Sequence, residues 1–268
     1  SKRPEIEETE ANWENHIRSD ETSQRVKELS ARKPSVSESR NIFQNVEKTE
    51  ISDFISYLKE KKTAIQTSSL HQHQKDSFLQ LLNLLEEEEN NLGYYNLPTG
   101  SGKTFIEILF VLLWKHSGVS KKNSVIMLPT LDLLDQMYDD FLVFINTFGE
   151  HLGFDEDYVL KNVIKMSSNH ISHAYVAIND GFRAGGKVLI SCNESMENMI
   201  ARNVEDLAQF DYFNFDEMHT APINLIEKIK NYSLSSNSLM LGFSATPGAR
   251  ARYFGRSLLK MKIGRAHV

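Results

Sequence analysis

The sequence predicts an α/β fold in which a parallel β-sheet is sandwiched by helices. From His71 onward, short apolar runs alternate with longer segments whose apolar residues recur at three- and four-residue steps. The runs are mostly apolar rather than alternating, which is typical of strands buried on both faces of a parallel sheet. A glycine-rich loop also separates the first run from an apolar helical stretch at residues 105–114. This order of elements favours a layered α/β domain with right-handed crossovers.

The candidate strands are the apolar runs at residues 94–97, 125–128, 188–190, 212–215 and 239–243. A helix is predicted around residues 134–145, where apolar side chains share one face. Apolar residues at 43–62 also have a helix-like spacing, whereas residues 1–40 are polar and show no steady period. We therefore expect a helical or partly disordered N-terminal arm over residues 1–69 and one domain over residues 70–262.

Composition excludes several classes of protein. Apolar residues make up 40% and charged residues 25% of the 268-residue chain, which is ordinary for a globular protein. No run approaches the roughly 18 apolar residues of a membrane-spanning helix, and the first residues contain no apolar signal segment. The only cysteine is Cys192, so no intrachain disulfide can form. We expect a cytoplasmic protein with no membrane partner.

The C-terminal end of the sequence differs in charge from the rest. The net charge of −6 does not indicate nucleic-acid binding, yet six basic residues and no acidic residue follow Pro247. The six are Arg250, Arg252, Arg256, Lys260, Lys262 and Arg265. The last six residues of the chain, 263–268, resemble the translation of a synthetic sequencing adapter. We expect them to be a non-native tail.

A phosphate-binding loop is predicted directly after the first candidate strand. Residues 98–104 have the sequence Pro-Thr-Gly-Ser-Gly-Lys-Thr and lead into the apolar helical stretch, so strand, glycine-rich loop and helix follow in the order that a phosphate loop requires. Leu97 occupies the position of the first glycine in the strict pattern. Glycines let backbone N–H groups approach an anion closely, and the helix N-terminus attracts negative charge. The residues expected to hold the nucleotide phosphates are Thr99, Gly100, Ser101, Gly102, Lys103 and Thr104.

Within this loop, two side chains have specific predicted roles. Lys103 would reach the β- and γ-phosphates of a nucleotide, and the Thr104 hydroxyl would hold Mg²⁺. An ordinary glycine-rich turn between a strand and a helix is the alternative interpretation.

A pair of acids follows the fourth candidate strand. Asp216 and Glu217 lie where the carboxyl end of a buried strand opens into the ligand crevice of an α/β sheet. Asp216 would hold Mg²⁺, and Glu217 would orient or deprotonate the attacking water. His219 lies close enough in sequence to hydrogen-bond toward the same centre. After the fifth run, Ser244 and Thr246 would couple the acids to the phosphate state.

Together these segments resemble the superfamily-two helicases and translocases of the DExH form. Residues 98–104 resemble motif I, residues 216–219 motif II and residues 244–246 motif III. They are similar to the helicase and restriction-subunit branch of this superfamily, and the resemblance covers residues 70 to about 255. Met218 departs from the pattern, since Ala or Cys is commoner at its position.

The resemblance implies further site residues. Gln74 would contact the adenine base, as in the segment upstream of motif I in this family. Pro129 and Thr130 match motif Ia, and Ser191 and Asn193 lie where the family has a loop near the bound strand, so these four residues are expected to contact nucleic acid.

As for function, the resemblance implies a RecA-like P-loop ATPase that uses ATP and Mg²⁺. Its expected partners are nucleic acid, with DNA favoured over RNA, and a second RecA-like domain in the same polypeptide that residues 1–268 do not include. A fragment without that domain is expected to hydrolyse little ATP. Two alternatives stay open: a P-loop ATP switch that acts on a protein partner, and a different P-loop enzyme such as a kinase.

Overall fold

The computed structural model describes residues 43, 45–87, 91–119, 121–166 and 185–260, except for the side chains of residues 259 and 260. The expectations for residues 1–40 and for the tail at 263–268 therefore lie outside the described residues. All described residues but Phe43 belong to one compact unit that begins at Asn45.

Within the described residues, seven parallel strands form one sheet in the order β3-β4-β2-β5-β6-β1-β7. The strands are β1 (Leu92–Asn96), β2 (Asn123–Leu128), β3 (Val163–Met166), β4 (Val188–Cys192), β5 (Phe210–Phe215), β6 (Leu239–Ser244) and β7 (Arg256–Lys260). The α/β prediction is confirmed, and each predicted run overlaps a strand. Strands β3 and β7, at the two edges of the sheet, were not predicted.

The helices pack on the sheet, and most of them follow one strand and precede the next along the chain. They are α1 (Ile51–Thr67), α2 (Gln72–Glu87), α3 (Lys103–His116), α4 (Leu133–Leu152), α5 (Glu156–Asn162), α6 (Asn193–Arg202), α7 (Ile223–Ser236) and α8 (Ala251–Phe254). Three short 3₁₀ segments also occur among the described residues: Val204–Gln209, Met218–Thr220 and Gly248–Arg250. Among the described residues, no helix combines the length and apolar character that a membrane crossing needs.

Burial in the core explains why the strands are continuous apolar runs in the sequence. Strands β2, β4, β5 and β6 are buried along their whole length because helices cover both faces of the sheet. Helix α3 is the most apolar helix in this core, with every residue from Ile106 to Trp114 fully buried. Because α3 is packed on all sides, its N-terminus and the loop before it are held in a fixed position relative to the sheet.

Helix α1 contributes to the same core, although it precedes the residues predicted to form the domain. Phe54, Leu58 and Ile65 on one face of α1 are fully buried. The Phe54 ring packs edge-on against Trp114 of α3, with 4.7 Å between ring centroids. The helical spacing seen in residues 43–62 thus corresponds to a helix that packs on the domain.

Candidate functional site

The order of the strands brings the three motifs together. Strands β5, β6 and β1 are neighbours in the sheet, and they are parallel. The acids follow β5, Ser244 ends β6, and the glycine-rich loop follows β1. Because parallel strands end at the same edge, segments that are far apart in sequence meet in one crevice.

Two glycines of the glycine-rich loop have a left-handed backbone. Gly100 has φ +78° and Gly102 has φ +76°, a left-handed conformation that residues with a side chain rarely adopt. Helix α3 begins directly at Lys103, so its N-terminal end points at the loop. Within the loop, the Ser101 N–H donates to the Pro98 carbonyl at 3.2 Å. Thr99 is exposed and Thr104 is half-buried.

Helix α2 supports this loop from one side. The Gln74 side chain is 2% exposed, and its Nε2 donates to the Gly102 carbonyl at 3.3 Å while its Oε1 accepts from the His71 N–H at 2.9 Å. His73, which sequence reasoning did not single out, hydrogen-bonds through Nε2 to the Ser101 carbonyl. In this structure Gln74 contacts the loop backbone, and its predicted contact with adenine stays a prediction.

The acids lie directly opposite the loop lysine. Lys103 Nζ is 2.7 Å from Asp216 Oδ1 and also forms an ion pair with Glu217. The Glu217 N–H donates to Asp216 Oδ1 at 2.8 Å. Burial lowers the pKa of Lys103, but the carboxyl groups of Glu107 and Asp216 outweigh this effect, so the pKa lies above its usual value. Lys103 is therefore a cation held between carboxylates.

His219 links the acids to the end of β6. Its Nδ1 is hydrogen-bonded to Ser244 Oγ at 2.7 Å and lies 3.3 Å from Glu217 Oε2. Ser244 Oγ also accepts from the Thr246 N–H at 3.0 Å. The hydroxyl of Ser244 thus contacts both motifs, while the Thr246 side chain is exposed. The coupling role predicted for Ser244 and Thr246 stays a prediction.

A buried carboxyl group behind Lys103 was missed by sequence reasoning. Glu107, on α3, is fully buried, and its Oε2 accepts from Asn214 Nδ2 at 2.8 Å. Burial raises the pKa of Glu107 well above its usual value, and the nearby charge of Asp216 adds to this effect. The sequence signal was available, because Glu107 is the only charged residue in the apolar stretch 105–114.

The residues expected to contact nucleic acid differ in exposure. Thr130 is exposed and Pro129 is half-buried, at the carboxyl end of β2. Ser191 lies inside β4 and is fully buried, and Asn193, the first residue of α6, is 5% exposed. Of these four residues, only Thr130 is exposed. Their contact with nucleic acid stays a prediction.

The donor set suits magnesium. Mg²⁺ is usually bound in proteins by one or two carboxylates together with substrate phosphates and waters. Thr104 follows Lys103 in the first turn of α3, and Asp216 pairs with Lys103 across the crevice. Among the described residues, no group of three or more His, Cys, Asp or Glu side chains forms a ready metal cage.

The fold and this arrangement of motifs define a RecA-like P-loop domain of the superfamily-two helicase type. The family model described as "Type III restriction enzyme, res subunit" matches residues 67–249, more than half of the 268-residue chain. The chain therefore belongs to the family of type III restriction enzyme res subunits. A search of curated protein sequences finds no significant match.

Solved structures of helicases and restriction enzymes have the same fold. The UvsW helicase from bacteriophage T4 is 20% identical, with a TM-score of 0.50 over 85% of this chain and 68% of that chain. A nuclease-deletion mutant of the Type ISP restriction-modification enzyme LlaGI, in complex with a DNA substrate mimic, is 16% identical, with a TM-score of 0.54 over 74% of this chain. The DUF1998 helicase MrfA, bound to DNA and AMPPNP, is also 16% identical, with a TM-score of 0.52 over 85% of this chain. The chain spans only 20% of LlaGI and 34% of MrfA.

Proposed function

We propose that the chain is the nucleotide-binding RecA-like domain of a nucleic-acid-dependent ATPase, a helicase or translocase. The observation that carries the proposal is the position of Lys103 between Asp216 and Glu217, directly after a loop with two left-handed glycines. The ammonium group of Lys103 lies at a helix N-terminus, where phosphates are attracted. Nucleotide phosphates can therefore compete with the two carboxylates for this ammonium group. Family membership and the helicase fold support the same function.

Each residue of the site has a role in this proposal. Lys103 and the backbone of the loop bind the phosphates, and Thr104 and Asp216 would hold Mg²⁺. The metal, when bound, supplies positive charge that stabilises the transferring phosphoryl group. Glu217 orients or deprotonates the attacking water, and His219 holds Glu217 near Ser244.

We further propose that nucleic acid binds at the carboxyl edge of the sheet, near Thr130, with DNA as the preferred substrate. Contacts would be mainly to the backbone phosphates, so binding should weaken as salt rises. The DNA complexes of LlaGI and MrfA support this choice of partner. A second RecA-like domain in the same polypeptide would supply arginines to the γ-phosphate, which are worth about 10³–10⁵ in rate.

The first test compares Lys103→Ala with Lys59→Ala by the binding of a fluorescent ATP analogue in the presence of Mg²⁺. Both lysines pair with carboxylates, but Lys59 does so on the exposed surface of α1. Lys103→Ala should weaken binding by more than about tenfold because charge-assisted contacts to phosphate are lost. Equal affinities of the two variants would contradict the assignment. Glu217→Gln should retain binding and slow hydrolysis.

A second test asks whether nucleic acid is the partner. ATP hydrolysis is measured with single-stranded DNA, duplex DNA and RNA, each at low and high salt. Stimulation by DNA that declines with salt supports the motor function. If no nucleic acid stimulates hydrolysis although the nucleotide binds, the ATP switch with a protein partner becomes the better account.

A further inference from the structure

The backbone at Glu217 is held in a conformation that its own residue type disfavours. Glu217 has φ +45° and ψ +51°, and among the described residues only Asn237 shares a positive φ without being a glycine. A left-handed backbone is unfavourable for residues with a Cβ, so surrounding contacts have to hold it. Because Glu217 faces Lys103, this turn determines where its carboxylate lies.

The next residue, Met218, anchors this turn to the sheet. Its side chain is fully buried, at the start of the short 3₁₀ segment Met218–Thr220. It fills a notch in β6 that exists because residue 242 is glycine: a Cβ at Gly242 would lie 2.5 Å from Met218 Sδ. Real Cβ atoms do not approach this closely, so the methionine and the glycine fit each other.

Phe254 also packs against β6 at Gly242. A Cβ at Gly242 would also lie 2.9 Å from the Phe254 ring, which is fully buried. The same ring packs edge-on against Phe215, the last residue of β5, with 5.3 Å between centroids. Met218 and Phe254 therefore both pack against the backbone of β6 at Gly242, and the fully buried Met218 has little freedom to move.

We infer that Met218 is a positioning residue: seated in the Gly242 notch, it holds Glu217 against Lys103 and His219 against Ser244. Its neighbours in sequence make these two polar contacts on either side of it. Hydrogen bonds to the Glu217 carbonyl, from the Thr220 N–H at 2.8 Å and its hydroxyl at 2.9 Å, shape the turn itself. The apolar anchor fixes that turn relative to the sheet. The role in hydrolysis rests on the proposed function.

Four variants of the full chain test the inference. Met218→Ala empties the notch, Met218→Leu refills it, and Gly242→Ala blocks it without changing motif II. The matched control is Met196→Ala, which removes an equally buried methionine from α6. The readouts are the affinity for a fluorescent ATP analogue, the single-turnover rate of ATP hydrolysis and the carbon chemical shifts of Glu217, which report its left-handed backbone.

Met218→Ala and Gly242→Ala should slow hydrolysis of bound ATP by about tenfold to a hundredfold, because a small misplacement of a catalytic group is costly. Their affinity for nucleotide should stay close to the native value, and the left-handed shifts of Glu217 should be lost. Met218→Leu should recover most of the rate and the shifts, since a swap that conserves volume is tolerated. Met196→Ala should change stability alone.

The inference is overturned if Met218→Ala keeps the native shifts of Glu217, or if Met196→Ala slows hydrolysis as much as Met218→Ala does. Failure of the proposed function has a different signature. If the native chain does not bind ATP, the nucleotide-binding assignment fails, while the chemical shifts still decide whether Met218 sets the conformation of Glu217.

Discussion

Gly102→Ala should destabilise the protein much more than Gly100→Ala, although both glycines have nearly the same φ. A left-handed alanine costs about 1–2 kcal/mol at either position. At Gly102, a Cβ would also lie 2.7 Å from Gln74 Nε2, whereas at Gly100 it would meet nothing within 4 Å. Displacing the buried Gln74 amide breaks its hydrogen bonds to the Gly102 carbonyl and the His71 N–H, at about 1 kcal/mol each.

The expected losses in the free energy of unfolding are therefore about 3–4 kcal/mol for Gly102→Ala and about 1–2 kcal/mol for Gly100→Ala. Urea unfolding measures both, with a fluorescent ATP analogue to follow nucleotide binding. In a Gln74→Ala background, Gly102→Ala should lower the free energy of unfolding only by the cost of a left-handed alanine, about 1–2 kcal/mol. Equal losses for the two glycines, or an unchanged cost in that background, would refute the idea that Gln74 supports the loop.

Two further predictions concern parts of the fold outside the site. Phe54→Ala should lower the free energy of unfolding by about 3–5 kcal/mol, because the ring is fully buried against Trp114, whereas Glu60→Ala on the exposed face of α1 should change it by less than about 0.5 kcal/mol. Burial raises the pKa of Asp211 to about 6, against the opposing effects of Lys115 and the Trp114 hydrogen bond. A raised pKa means that the protonated form stabilises the fold, so this contribution is complete below about pH 4 and is lost as the pH rises through about 6. Asp211→Asn should flatten the decline in urea-unfolding stability over that range, and an unchanged profile would contradict the assignment.

The strands at the centre of the sheet could be predicted because burial on both faces leaves a plain signal in the sequence. Strands β2, β4, β5 and β6 are apolar runs bounded by turn residues. The edge strands lack that signal. In β3 the central residues are half-buried and exposed, and β7 begins with exposed Arg256 and Ser257. Such short, partly polar segments become strands through pairing with a neighbour, which no local pattern reports.

The motifs of the candidate site could be recognised for a similar reason. A phosphate loop and an acid pair each have a local pattern, so Lys103 and Asp216 could be named from the sequence. Contacts that join different helices and strands could not be predicted from the sequence. No sequence spacing predicts that His73 supports the loop or that Met218 packs against Gly242. Each contact depends on which helices and strands become neighbours.

The placement of Lys103 also limits how the site can bind its substrate. Its ammonium group pairs with both Asp216 and Glu217, so it cannot contact a phosphate in the same way without weakening those pairs. Partly buried carboxylates that lose a cation need another positive partner, because an unpaired buried charge is costly. A metal ion bound by Asp216 would meet this need as Lys103 turns to the phosphates. If the chain has the proposed function, the electrostatics of the crevice would favour binding of the nucleotide together with Mg²⁺ over binding of either one alone.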